Sequence, residues 1–443
     1  MEARTWNIIQ LGVGFMLLFA GFNTQNFVEQ TVLNSVAEDT GRVDEHAGYY
    51  SLAIVYGCLT VGNLVAAPII AVIGAKVAMI IGSLTYVLFL LSFLYVDSWS
   101  LYLVSAINGL GGALLWTGQG NYMTLNSDDF TAGRNSGIVW AIYQLCLVSG
   151  GTFLFIVFQF TDKHFDQSTI RILYSVFAVL GALGVLTFVF LRQPPKQESS
   201  SQKEQKHDHV KNILATFKLM FSKDMMILSV MFMYSGIELT FWSGIYSTSL
   251  AFTNKLADVA GNNMLAYNAV AIGLGQIMGG TIFGVFGERT NKFGRYPIVL
   301  LGCVTHLLCF ALIFINIPTQ AAIHKTDDIS IISPSIPLAL LCSALLGFGD
   351  SCWNTQIYSM LATFYKKQSS EGFAVMKFFN CLSACAAFFY GSKIELRYQL
   401  GILAVGALLA FVCFFGVERK NTAARVQSKI STSSEVSIVK ALY

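Results

Sequence analysis

Runs of apolar residues about 20 long, each bounded by short polar breaks, recur along almost the whole chain. A run of that length suits a helix crossing the hydrocarbon core of a bilayer, where every backbone polar group must be satisfied inside the segment. The runs lie near 6–33, 49–73, 77–95, 98–123, 137–160, 169–191, 225–250, 266–286, 297–317, 337–363, 372–390 and 398–417. They predict an all-α integral membrane protein with twelve transmembrane helices, spans 1 to 12 in chain order. The 443 residues are 54% apolar and only 12% charged, whereas soluble domains carry about 25% charged residues.

The first run outlasts the roughly 7–15 apolar residues of a signal-peptide core and has no small-x-small cleavage site, so it reads as span 1. Of the 28 Lys and Arg residues, only Arg42, Lys163, Arg171, Lys255, Lys325, Lys393 and Arg397 fall on the side opposite the termini. Positive charge is retained on the cytosolic side, which predicts cytosolic termini. The net charge of +3 is too small to create a field that would recruit nucleic acid.

The longest polar break, 192–223, opens with Arg192-Gln193-Pro194-Pro195 and continues in Ser, Gln, Lys and Glu, a composition that cannot bury a core. It is expected to be a cytosolic linker between six-helix bundles at 1–191 and 224–417. Its end sets Ile213, Leu214, Phe217 and Phe221 among Lys211, Lys218 and Lys223, which predicts a short helix in the headgroup layer. The polar, Ser-rich stretch 418–443 is expected to be a disordered cytosolic tail.

The two halves echo each other. An offset of 213 brings Gly62-Asn63 onto Gly275-Gln276, Ala66-Ala67 onto Gly279-Gly280 and Gly74 onto Gly287, matching span 2 to span 8. An offset of 237 brings Trp116-x-x-Gln119 of span 4 onto Trp353-x-x-Gln356 of span 10. Parallel repeats of six spans joined by a cytosolic loop build the major facilitator fold, whose solute site lies near the bilayer midplane. Gly275-x-x-x-Gly279 and Gly280-x-x-x-Gly284 read as helix-packing positions.

Ionisable residues inside a span cost about 2.5–3.5 kcal/mol on insertion scales, so each needs a reason. Glu238 and Asp350 both lie near mid-bilayer by their distance from the starts of spans 7 and 10, whereas Glu29 is near the outer end of span 1. At about 100° per residue, Ser235, Trp242 and Tyr246 share a face with Glu238, and Trp353 and Asn354 share one with Asp350. Span 1 aligns Asn23, Asn26, Gln30 and Asn34, and span 4 adds Trp116 and Gln119. Spans 1, 4, 7 and 10 line the cavity in facilitator folds, so these side chains, with Gln356, are candidate solute contacts. The other reading keeps them as interhelical hydrogen bonds worth about 0.6 kcal/mol each.

His306, alone in span 9, is expected to be a hydrogen-bonded core histidine. Lys377, one to two turns into span 11, is expected to snorkel to the cytosolic surface. The nine cysteines lie in apolar runs and read as packing residues. Cys381 and Cys385 share a face but lack a companion His or carboxylate, so no metal site and no cofactor is expected. Nor is there a nucleophile and base, or a phosphate loop, in a segment long enough for enzyme chemistry.

After span 8, Gly284-x-x-Gly287-Glu288-Arg289 followed by Gly294-Arg295 resembles the cytosolic signature of major facilitators, stretched and with Glu in place of Asp. The loop after span 2 keeps only Gly74-Ala75-Lys76. Trp116-Thr117-Gly118-Gln119-Gly120-Asn121, the run Asp128-Asp129-Phe130-Thr131-Ala132-Gly133-Arg134-Asn135-Ser136-Gly137, Gly236-Ile237-Glu238 and Gly347-Phe348-Gly349-Asp350-Ser351-Cys352-Trp353-Asn354 resemble the uncoordinated-ninety-three-like (ion channel regulatory protein) family of the major facilitator superfamily. The resemblance covers all but the linker and tail. It implies a membrane protein that carries a small solute through a central cavity, or one that regulates or escorts another membrane protein such as a channel or receptor. Partners expected on this basis are the lipid bilayer, a small solute or such a membrane protein, and not nucleic acid.

Overall fold

The computed structural model describes residues 3–44, 47–128, 130–159, 166–193, 209–260, 263–290, 294–391 and 393–442, with the side chains at 3, 30, 31, 34, 49, 209–213, 284–290 and 424–442 outside that description. Among the described residues, twelve helices are long and apolar enough to span a membrane: Arg4–Glu29, Tyr50–Ile73, Ala75–Ser92, Ser98–Leu125, Ala132–Phe158, Gln167–Val189, Lys223–Phe252, Asn263–Phe283, Tyr296–Asn316, Ile336–Phe364, Lys366–Gly391 and Leu396–Ala423. They are spans 1 to 12. Twelve crossings return the chain to the face it started from, called the terminal face here, with the far face opposite.

Short-range hydrogen bonds set where spans begin. The Asp97 carboxylate accepts from the Trp99 N–H at 3.1 Å ahead of span 4, and Asp166 accepts from Thr169 at 3.2 Å ahead of span 6. Hydrogen bonds from Ser168 and Thr169 hold the Asp166 carboxyl down at about 2. Before span 5, Asp128 Oδ1 accepts from the Thr131 hydroxyl at 2.9 Å, from the Thr131 N–H at 2.8 Å and from the Phe130 N–H at 3.0 Å. Partial burial pushes the Asp128 carboxyl up, but these donors and the charge of Arg4 outweigh it and hold it below the usual aspartate range. Gly74, at φ 82°, makes the one-residue turn between spans 2 and 3, in a region that penalises a side chain.

Lipid explains the outer surface. Span 12 turns Val405, Leu408, Leu409 and Val412 outward, and span 3 turns Leu84, Leu88 and Leu91 outward. Apolar contacts between helices gain nothing over contacts with lipid tails, so association depends on close packing. A Cβ on Gly275 would sit 2.0 Å from the Ala344 carbonyl oxygen of span 10, and one on Gly280 would sit 2.7 Å from the Ala141 nitrogen of span 5. Span 8 is thereby clamped between its own half and the other. Spans 5 and 8, together with spans 2 and 11, form the seam between the two halves.

The final helix runs Leu396–Leu442, so the backbone of 418–442 is helical where a disordered tail is expected. Its start is tied down: Glu418 is buried, and its Oε1 accepts from the Arg295 N–H at 2.5 Å. Glu, Lys, Arg and Ala beyond it are good helix formers. Residues 194–208 of the expected linker lie outside the described residues. The helix His209–Met220 follows and packs on spans 2 and 11, burying Thr216, Leu219 and Met220 while Leu214 stays exposed.

Span 7 is not a uniform α-helix. It runs α-helical over Lys223–Thr240, widens into a π turn at Phe241–Ile245 and resumes at Tyr246–Phe252. Such single wide turns concentrate at functional sites. The wide turn alters the rotation of every residue after it.

Candidate functional site

Between the halves, at mid-depth, lies a cavity whose water-accessible volume is about 90 Å³. A single water needs roughly 10–15 Å³ on this measure, so the space holds several waters or one small solute. Span 1 contributes Phe19, Phe22, Asn23, Asn26 and Phe27 to its wall. Trp116, Trp140, Tyr143 and Gln144 come from spans 4 and 5. The other half supplies Ser235 and Trp242 from span 7, Asp350 and Asn354 from span 10, and Lys377, Asn380 and Cys381 from span 11.

Polar atoms in this wall are held in defined positions. Asn354 Nδ2 donates to Asp350 Oδ1 at 2.8 Å, with the Trp242 indole and the Glu238 carboxyl also beside Asp350. Asn23 Nδ2 donates to the Tyr143 hydroxyl at 3.3 Å, and Asn380 Nδ2 donates to Ser235 Oγ at 2.9 Å. Lys377 extends its ammonium over the face of Trp116, 4.1 Å from the ring centroid. The Trp116 indole N–H donates to the Tyr86 hydroxyl at 3.3 Å, fixing the ring beneath the charge.

Asn23, Asn26, Trp116, Trp242, Asp350 and Asn354 among the sequence candidates therefore reach the cavity. Several others do not. Glu238 is buried one layer behind, with Oε1 3.6 Å from His306 Nε2. The Tyr234 hydroxyl pairs with His306 Nδ1 at 2.5 Å; with Tyr234 as donor, the Nε2–H is directed at Leu346 O, 3.3 Å away, and at Glu238. Tyr246 donates its hydroxyl to Ala339 O at 2.7 Å instead of entering the cavity, because the π turn keeps it on the side facing span 10.

Gln119, Trp353 and Gln356 are likewise buried away from the cavity wall. Trp353 packs on Tyr234 with centroids 5.0 Å apart, and Gln356 Nε2 reaches Thr355 Oγ1 at 3.1 Å. Spans 4 and 10 are enclosed by neighbours on several sides, so only part of each polar face is left for the cavity. The side chain of Gln30 lies outside the described residues, as do those of Gly287, Glu288 and Arg289 in the signature loop.

Gly294, at φ 81°, leads into span 9. Arg295 binds within its own half, donating from Nε to Ser359 Oγ at 3.1 Å and from Nη2 to Thr363 Oγ1 at 2.8 Å, with Nη1 3.8 Å from Glu418 Oε1. It thereby ties spans 9, 10 and 12 together at the terminal face.

Lys377 is the main residue that the hydropathy reading misplaces, because it points into the cavity and not to the surface. The signal was available: Lys377, Asn380 and Cys381 stand at i, i+3 and i+4, one polar stripe on one helix face. Trp140 and Tyr143 of span 5 were invisible for a different reason, since aromatic residues in an apolar run look the same facing lipid or facing a cavity.

The cavity is closed on one side. Toward the terminal face, Phe373 packs against Gly120, Ser136 Oγ donates to Thr355 O at 3.1 Å, and Ser369 Oγ donates to Asn121 Oδ1 at 3.2 Å. Toward the far face, a second cavity shares Asn26, Phe27, Tyr56 and Ser243 with the first and extends it past Glu29.

The family described as Ion channel regulatory protein UNC-93 matches residues 39–415. The chain is 36% identical over 432 residues to UNC93-like protein MFSD11 of Xenopus laevis, covering 93% of this chain and 95% of that one. Protein unc-93 homolog A of Homo sapiens is 22% identical over 466 residues, covering 95% of each chain. Among solved structures, the human organic anion transporter MFSD10 superposes with a TM-score of 0.65 at 12% identity, over 94% of this chain and 100% of that one. The nucleoside transporter NupG does so with a TM-score of 0.59 at 16% identity, over 93% and 99%. At these identities the two structures establish the fold alone. The extent of the family match and the twelve-span architecture together make this chain a member of the UNC-93 family, built on the major facilitator fold.

Proposed function

We propose that the protein is a secondary transporter that moves a small solute through the central cavity by alternating access, with both termini in the cytosol. The observation that carries this reading is the composition of the cavity wall. Asn23, Trp116 and Tyr143 of one half face Trp242, Asp350 and Lys377 of the other across a space sized for a small solute. Rocking two rigid bundles about such a seam would expose it to each side in turn. The closure toward the terminal face and the continuation toward the far face fit one stage of that cycle. The superposed proteins named as organic anion and nucleoside transporters support the reading by analogy of fold.

A second reading, a subunit that regulates or escorts a channel or receptor, is favoured by the family's description and by the reduced loop Gly74-Ala75-Lys76 after span 2. One experiment separates the two. Purified protein in liposomes, offered tritiated benzoate, uridine or tetraethylammonium, is expected to take up at least one saturably and to accelerate its uptake when the same unlabelled solute is inside. Uptake no greater than in protein-free liposomes for all three would favour the regulatory reading, because such a subunit moves nothing alone.

A further inference from the structure

We infer that Lys377 is the anion-binding group of the central cavity, and that the solute it selects is a small organic anion with a flat apolar body, such as an aromatic monocarboxylate. The inference rests on the transport reading above and narrows it to a substrate class. It starts from the state of the charges around the cavity. Asp350 accepts the Asn354 amide at 2.8 Å, and its charge acts on Lys377 without direct contact. Glu238 lies behind the wall against His306.

The Lys377 ammonium, in contrast, rests on the Trp116 ring, and among the described residues no carboxylate forms an ion pair with it. Its N–H donors are therefore left for a solute, with Asp350 acting on the charge only at a distance. A cation held away from bulk water gains most from a partner that brings an opposite charge, and a carboxylate accepts its N–H donors in short, charge-assisted bonds.

The rest of the wall describes the rest of the ligand. Phe19, Tyr143 and Trp242 put aromatic rings on both sides of the cavity, which suit contact with a planar apolar body. Asn23 and Asn26 place polar atoms at one edge of the cavity. A water-accessible volume of about 90 Å³ has room for one ring and its carboxylate.

The test is binding to the full-length protein purified in detergent, read as a shift in melting temperature, with benzoate, tetraethylammonium and uridine as probes. Benzoate is expected to raise the melting temperature in a saturable manner, and the other two are not. Lys377→Gln is expected to weaken benzoate binding about 10- to 100-fold, the loss of one charge-assisted contact. Lys377→Arg, which keeps the charge, is expected to stay within a few fold.

Should Lys377→Gln fail to fold, the charge-retaining variant and the selectivity among the three probes still decide. Stabilisation by tetraethylammonium or uridine in place of benzoate overturns the inference, as does no response to benzoate or an unchanged response in Lys377→Gln. Detergent binding needs no transport, so the two readings fail separately. Lys377-dependent benzoate binding without liposome flux keeps this site and removes the transporter. Flux of uridine or tetraethylammonium unchanged by Lys377→Gln does the reverse.

Discussion

Asp350→Asn is expected to cut net benzoate uptake into liposomes by about 100-fold or more while leaving benzoate-for-benzoate exchange close to the wild-type rate. The reasoning begins with the empty carrier. Lys377 and Asp350 line the same cavity closely enough for their charges to interact without direct contact. When no anion is bound, Asp350 is the carboxylate in the cavity wall that can balance Lys377 while the halves move.

Replacing it with Asn keeps the shape and the Asn354 neighbour but removes that balance, so the empty carrier must return with an ammonium stranded away from water. An uncompensated buried charge costs several kcal/mol, and about 1.4 kcal/mol is tenfold in rate. The loaded carrier brings its own negative charge and should be spared. Loss of exchange together with net uptake would instead make Asp350 a direct solute contact, and no change in either would remove its part in charge balance. Glu238→Gln, one layer behind, is expected to leave the apparent benzoate affinity intact.

Gly120→Leu is expected to slow transport roughly 5- to 150-fold by opposing closure at the terminal face. A Cβ there would lie 2.3 Å from Phe373 Cγ and 2.5 Å from both Cδ atoms, close to the root of the ring where rotation gives little relief. Spans 4 and 11 would have to separate, straining the Ser369–Asn121 hydrogen bond beside them. Overpacking of this kind costs about 1–3 kcal/mol, and the cost falls only on the state in which these spans touch. By population-shift arithmetic that state drops roughly 5- to 150-fold. Gly120→Ala should give a milder version of the same defect. Normal flux in Gly120→Leu would mean that spans 4 and 11 do not form the gate.

The fold was legible in the sequence because lipid imposes one demand on every span: a run of apolar residues long enough to satisfy its own backbone. Spans 7 and 10, expected at 225–250 and 337–363, occur at Lys223–Phe252 and Ile336–Phe364. The candidate site was legible only in part. Helical angles bring Asp350 and Asn354 to one face, and both reach the cavity. The same arithmetic fails at Tyr246, because the π turn after Thr240 resets the rotation and no residue in Phe241–Ile245 announces it.

Lys377 was misjudged for a physical reason of another kind. Distance along the helix from the surface says how far a lysine could reach, whereas its direction is set by the face it shares with Asn380 and Cys381, and that face points at Trp116.

Cys381 provides a native reporter, since it lies in the cavity wall one turn beyond Lys377. With the other eight cysteines replaced by Ala or Ser, a membrane-impermeant thiol reagent can be applied to sealed vesicles of either orientation. Wild-type protein is expected to react at Cys381 from both faces, and Gly120→Leu predominantly from the terminal face. Reaction of the wild-type protein from the far face alone, or from neither, would contradict alternating access through this cavity.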